Sequence, residues 1–256
     1  MNGEDILQKV RDAYSKFDTY SDVGTVENLG QPWLPLEFQT CFKRPSNFRF
    51  QWLSWHPHFG KSKPPSEDTI YSDGTDHFNI YSGELERVKS FSLLVAGATG
   101  VSSGAVHALL NLLRPGSVEL RDYWHEATAI RFLPDELLNG FECFHLIGML
   151  NQSDEMEVWI DKDTLTVRQL SETHTTTKED FDDTQTYLQS VENLEQWEIL
   201  AKKHALPDHV KEKALDSMLN RSFKPQTSRS IYKYSEVHIN QPIDDALFKN
   251  LNGGDA

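Results

Sequence analysis

The stretch Glu37-Phe38-Gln39-Thr40-Cys41-Phe42-Lys43-Arg44-Pro45-Ser46-Asn47-Phe48-Arg49-Phe50-Gln51-Trp52 decides the fold. Phe38, Thr40 and Phe42 alternate with polar or small neighbours, and Phe48, Phe50 and Trp52 do so again after Lys43-Arg44-Pro45-Ser46-Asn47. A period of two places each set on one side of a strand. Proline fixes φ and withholds an N–H, and Ser and Asn suit turn positions, so the segment between them reads as the turn of a hairpin. The result is a row of rings on one surface, each with ~150–250 Å² to bury. Core helices or a bound apolar ligand are the two covers available to it.

Working outward, Ile6, Leu7, Val10, Ala13, Tyr14 and Phe17 recur at helical spacing and predict an amphipathic helix from about Glu4 to Phe17. Asp22 to Leu29 reads as a strand, followed by a loop from Gly30 to Pro35. His56-Pro57-His58 and Lys61 to Glu67 read as a second loop. Thr69-Ile70-Tyr71 and His77 to Tyr81 flank Ser72-Asp73-Gly74-Thr75-Asp76, whose Asp-Gly pair signals a hairpin, and Glu86 to Lys89 is a candidate edge strand. From Phe91 to Pro115 two segments are apolar almost all round. One holds Leu93 and Leu94, the other Leu109 and Leu110, and Ser102 or Ser103 between them is a candidate N-cap. They are the obvious cover for the rings.

Alternation resumes from Tyr123, with strands over 128–133, 141–149, 155–161 and 166–173. Lys178 to Glu198 is acidic; the apolar spacing predicts one helix to about Ala205 and a shorter one from Pro207 to about Leu219. Ser230 to Ile239 is the last strand, and the tail at Asn252-Gly253-Gly254 is expected to fray.

The 256 residues carry 25 Lys and Arg against 39 Asp and Glu, a net charge of −14. Such a surface repels nucleic acid and anionic membranes, so neither is an expected partner. No apolar run reaches the ~18 residues of a transmembrane helix. Met1-Asn2-Gly3-Glu4-Asp5 lacks the basic and apolar regions of a signal peptide, which leaves a cytoplasmic chain or one presented without its leader. Cys41 and Cys143 fall in separate predicted strands and read as two buried thiols, or as a bridge in an oxidising compartment.

No motif dictates a reaction. The ten histidines include no pair at helical ligand spacing, and His204 and His209 straddle Pro207. Gly97-Ala98-Thr99-Gly100 follows a helix-like run rather than a strand, so it is a helix break and not a phosphate loop. Asp161 and Asp163 occupy a hairpin tip, and Cys143 has only His145 nearby. The expectation is a non-enzyme, with no catalytic residue, no metal and no cofactor.

Phe42-Lys43-Arg44-Pro45-Ser46-Asn47-Phe48-Arg49-Phe50, Ser72-Asp73-Gly74-Thr75 and Ile80-Tyr81 resemble the LolA family of lipoprotein carriers. Tyr20-Ser21-Asp22, Trp159-Ile160-Asp161 and Asn240-Gln241-Pro242-Ile243 are similar to segments of the broader LolA-like group of uncharacterised bacterial proteins. The resemblance implies an α+β fold: a half-open, curved antiparallel β-sheet, an unclosed barrel, wrapped over helices. It implies a single domain over 1–256, placed in the periplasm or otherwise outside the cytoplasm; the acidic helical insertion at 178–223 within it is a departure from the LolA pattern. It further implies carriage of a lipid, acyl chain or acylated protein in an apolar cavity, or alternatively a stress-sensing or scaffold module with an envelope protein partner. The expected cavity lining is Phe38, Phe42, Phe48, Phe50, Trp52, Phe78, Ile80, Leu93, Leu94, Leu109 and Leu110, with Arg44 as the lid contact.

Overall fold

The computed structural model describes residues 2–29, 35–55, 64–117, 122–151, 153–203, 207–219 and 222–249. The expected loops at Gly30–Leu34 and His56–Lys63, His204 and the tail beyond Lys249 lie outside the described residues.

Helix α1 (Gly3–Tyr14) opens with a capping box in which Asn2 and Asp5 satisfy each other's backbone N–H, and it buries Ile6, Leu7, Val10 and Tyr14. Six strands follow: β1 (Thr19–Leu29), β2 (Leu36–Lys43), β3 (Asn47–Ser54), β4 (Ser66–Ser72), β5 (His77–Tyr81) and β6 (Glu84–Val88). Then come α2 (Phe91–Val101), α3 (Ala105–Ala108), α4 (Leu110–Leu113) and α5 (Tyr123–Glu126). Strands β7 (Thr128–Leu138), β8 (Phe141–Met149), β9 (Asp154–Asp161) and β10 (Val167–Thr175) complete the second run. Helices α6 (Lys178–Leu188), α7 (Val191–Lys203) and α8 (Asp208–Leu219) precede β11 (Thr227–Tyr234) and β12 (His238–Ile239).

The strands form one 12-stranded sheet in the order β6-β5-β4-β3-β2-β1-β11-β10-β9-β8-β7, with β12 also on β1. The pairings from β6 through β1 to β11 and from β7 to β9 are antiparallel, and β6 and β7 end the sheet without meeting, so it is not closed. This is the unclosed antiparallel α+β sheet that the resemblance implies. The chain divides into two compact units, 1–173 with 228–256, and 174–227.

Several elements depart from the sequence reading for local reasons. The final strand breaks after Tyr234, yet both pieces pair with β1, Tyr234 opposite Gly24 and Ile239 opposite Tyr20. Strand β7 continues through Pro134 with two register shifts, which an edge strand tolerates because its outer N–H groups need no ladder partner. Tyr123–Glu126 is a helical turn, capped by the Asp122 carboxylate on Trp124 N at 3.1 Å. The second apolar segment is two short turns rather than one helix. Its N-cap is Gly104 at φ 80, not a serine, and a Cβ there would lie 2.7 Å from the Tyr232 hydroxyl.

The acidic stretch forms α6, a helix of its own, so the unit at 174–227 holds three helices rather than two. It starts on a Thr177–Asp180 capping box, and Phe181 meets Phe223 at 5.6 Å.

Candidate functional site

The candidate site is the helix-covered face of β1–β5. Register places side chains on it in cross-strand rows. One row runs Tyr20, Phe42, Phe48, Ser72, His77; the next runs Asp22, Thr40, Phe50, Ile70, Asn79; a third begins Gly24, Phe38, Trp52. Gly24 is required here, since a Cβ would lie 2.4 Å from the Phe38 ring. Phe38 stacks on Phe50 at 5.6 Å, Phe50 meets Trp52 at 5.7 Å, and Trp52 meets Tyr81 edge-on at 5.8 Å. These are separations at which aromatic pairs attract.

The same registers move two expected residues off the site. The turn at Asp73–Asp76 sets Ser72 opposite His77, so His77 and Asn79 share the ring face, while Phe78 and Ile80 project from the other. Phe78 stacks there on Tyr71 at 5.2 Å. Leu93 is also displaced: α2 turns Leu94, Val95 and Ala98 inward, and Leu93, one residue out of phase, is 58% exposed. Leu94, Leu109 and Leu110 are buried in the same core as Phe38, Phe42, Phe48, Phe50 and Trp52.

Helices α2–α4 form a roof without a charged residue in α2. Phe91 at its start meets Phe48 edge-on at 5.6 Å. Leu94, Val95, Ala98 and the run from Leu109 to Leu113 are at most 4% exposed, so the rings are covered by helix. Two valines, a threonine, Gly97 and Gly100 among the 11 residues of α2 lower its intrinsic helix propensity, against Leu93, Leu94, Ala96 and Ala98. Its exposed side carries Leu93 and Val101.

Polar contacts tie the roof at both ends. Beyond α4, Arg114 donates to Ser46 O at 3.1 Å and lies over the Phe91 ring at 3.8 Å. Burial lowers its pKa, and burial first, then the Arg114 charge, lowers that of His77. At the other end Asn28 donates to Ser103 Oγ at 3.0 Å and the Tyr232 hydroxyl to Ser103 O at 3.0 Å. Beside this joint a cavity of about 230 Å³ is lined by Val26, Asn28, Leu36, Ser54, Trp55, Val101 and Ser103. A separate groove of about 170 Å³ involves Val23, Glu37, Gln39, Gln51 and Leu53 with Phe38 and Trp52.

Arg44 acts on a different helix from the roof. Its Nε donates to Phe17 O at 2.8 Å and its NH2 to Tyr14 O at 3.0 Å, satisfying carbonyls at the end of α1. The hairpin turn therefore holds α1 through Arg44 and the roof through Ser46. Arg114 was not among the expected residues; a lone Arg before Pro115 carries no periodic signal, and only its stacking on Phe91 reveals it.

Away from this face, Cys41 and Cys143 are buried and free, and burial pushes each thiol up to about 11. His145 is buried and hydrogen-bonded, with Nε2 at 2.8 Å from Glu157 Oε1, and its ring stacks on Trp159 at 4.2 Å. Asp161 accepts from Arg168, Asp163 N and Thr164 N, so it closes a turn; those hydrogen bonds, Arg168 foremost, hold its carboxyl below the usual range against the opposing effect of burial. Among the described residues no group of three or more His, Cys, Asp or Glu is placed to hold a metal, and no helix is long and apolar enough to cross a membrane.

No family model matches the chain, and no curated protein matches it. Solved structures do. The chain is similar to LolA-superfamily structures. It is 10% identical to a LolA superfamily protein from Nitrosomonas europaea, over 98% of each chain, with a TM-score of 0.33. It is 10% identical to the Mycobacterium tuberculosis lipoprotein LppX over 94% of this chain and 97% of that one, with a TM-score of 0.44. A structure of the Pseudomonas aeruginosa MucA–MucB complex is 10% identical over 97% of this chain and 61% of that one, with a TM-score of 0.44.

Proposed function

We propose that the chain binds a hydrophobic guest, a lipid, an acyl chain or an acylated protein segment, between the ring face and the α2–α4 roof, without catalysis. The observation that carries this reading is a glycine-containing roof whose first helix is uncharged, tied at its ends by a few polar contacts, over a face that carries Phe38, Phe42, Phe48, Phe50 and Trp52. Phe38, Phe42, Phe48, Phe50 and Trp52 form the floor, and Leu94, Leu109 and Leu110 the underside of the roof. The guest displaces roof side chains from the rings and replaces their contacts, at ~0.8 kcal/mol per buried methylene. Exchange of like for like keeps opening close to balanced. The cavity at Val26, Leu36, Trp55 and Val101 is the place where entry begins. In this reading the chain works as one LolA-like domain that carries 178–223 as an insertion, outside the cytoplasm.

The test is native mass spectrometry of protein purified from cells, with solvent extraction of anything bound, followed by titration with a fluorescent fatty-acid probe. A bound lipid or one probe per chain supports the reading. A clean protein that ignores the probe overturns it.

A second reading, a protein-interaction module, draws on the unit at 174–227 alone. Tyr187 and Ile199 are 58% and 66% exposed there among acidic neighbours. Deleting 178–223 separates the two, because a carrier keeps its probe affinity and a scaffold loses its partner.

A further inference from the structure

The ring face has a polar end. The row that crosses Phe50 begins at Asp22, two strands away and so about 10 Å from it at ~4.8 Å per strand. Asp22 is 1% exposed. Its Oδ1 accepts from Thr40 N at 3.2 Å, while Oδ2 makes no well-formed hydrogen bond. The titratable groups that face it are tyrosines: Tyr20 from β1, Tyr14 from α1 and Tyr234 from β11. The Tyr20 and Tyr234 hydroxyls are likewise buried without a well-formed partner, whereas that of Tyr14 accepts from Val167 N at 3.1 Å. Cys41, on the opposite face of β2, also feels its charge. Among the described residues none forms an ion pair with Asp22.

A buried carboxylate that has no ion-pair partner among the described residues and leans only on Tyr20 and Thr40, beside a Tyr234 hydroxyl without a well-formed hydrogen bond, is a costly arrangement for a core whose only task is packing. Phe38 joins this cluster to the rings, meeting Tyr234 edge-on at 5.7 Å and Phe50 at 5.6 Å. The carboxylate and hydroxyls at Asp22, with the rings of Phe38, Phe50 and Trp52 beyond them, match an amphiphile laid across the strands.

We propose that Asp22, with Tyr20 and Tyr234, anchors the polar end of the guest, and that this end is a hydrogen-bond donor, a protonated amine or a hydroxyl, rather than a free carboxylate. The inference rests on the guest-binding reading above. It makes Asp22 the residue that selects among amphiphiles of equal chain length. Burial pushes its carboxyl up to about 7, against the partial pull of Tyr20 and Thr40, so the anchor changes charge near neutrality.

Calorimetric titration of the full chain with dodecylamine, dodecan-1-ol and sodium laurate tests this, each below its micellar range, at about pH 6 and about pH 8.5, on either side of that midpoint. Wild type is expected to take the amine and the alcohol at least ~10-fold more tightly than laurate, the amine preference growing with pH. Asp22→Asn, which keeps the acceptor for Thr40 N, is expected to bring amine and laurate within ~3-fold of each other. Tyr234→Phe, which removes only a hydroxyl, reads the same preference if the first variant fails to fold. Equal binding of all three probes, unchanged in both variants and at both pH values, overturns the anchor and leaves carriage standing. Binding of none overturns both.

Discussion

Replacing Gly97 and Gly100 together by alanine separates a movable roof from a fixed one. Neither glycine is needed for space or backbone: a Cβ at Gly97 meets nothing nearer than the Tyr81 hydroxyl at 3.8 Å, a Cβ at Gly100 meets nothing within 4 Å, and neither φ is positive. Alanine in a helix interior is worth about 0.5–1 kcal/mol over glycine, so the pair adds ~1–2 kcal/mol to α2. In a chain of this size that raises the melting temperature by about 2–8 °C. If guests enter when α2 loosens, the same energy reduces the open population by ~5–30-fold, and the uptake rate with it. Thermal melting followed by circular dichroism gives the first quantity, and stopped-flow uptake of a fluorescent fatty-acid probe gives the second. A raised melting temperature with unchanged uptake refutes entry through a loosened α2. A lowered melting temperature refutes the packing of α2 itself.

Arg114→Met keeps bulk over Phe91 but removes the donor to Ser46 O, and is expected to cost ~1–2 kcal/mol in denaturant titration while speeding probe uptake. Arg44→Met strips Tyr14 and Phe17 of a charged donor, costing about 1–3 kcal/mol, and leaves the uptake rate unchanged because α1 is not the roof. Asp22 gives a pH signature. Its folded pKa of about 7 exceeds the unfolded ~3.9, so the folded state holds a proton the unfolded chain has lost, and stability falls from about pH 4 to about pH 7 and then levels. Asp22→Asn lacks that slope, so its advantage over wild type grows across this window to the order of a few kcal/mol; an offset independent of pH contradicts the assignment.

The hairpin from Glu37 to Trp52 was legible because one dry face imposes period two, which Phe38, Thr40, Phe42, Phe48, Phe50 and Trp52 obey, with Cys41 alone buried on the opposite face. Strand β5 was harder. Its own alternation allows either face to be dry, and only the pairing of Ser72 with His77 puts Asn79 inside and Phe78 outside. Leu93 failed for a related reason, since a segment that is apolar all round carries no moment to say which side is buried. Asp22 was invisible as part of a site: an aspartate near the start of a strand looks solvated until register sets it opposite Thr40 and beneath Tyr14 and Tyr234. Arg44 was found through the resemblance of its turn, and the structure supplies what it holds, the end of α1.

The most direct measurement is nuclear Overhauser contact between dodecan-1-ol and the protein at one guest per chain. Cross-peaks from the methylenes to the rings of Phe42, Phe50 and Trp52, with the roof's Leu94 and Leu110 methyls shifting, are the result expected of a guest beneath α2–α4. Contacts confined to the groove at Val23 and Leu53, with the ring signals unmoved, would contradict it.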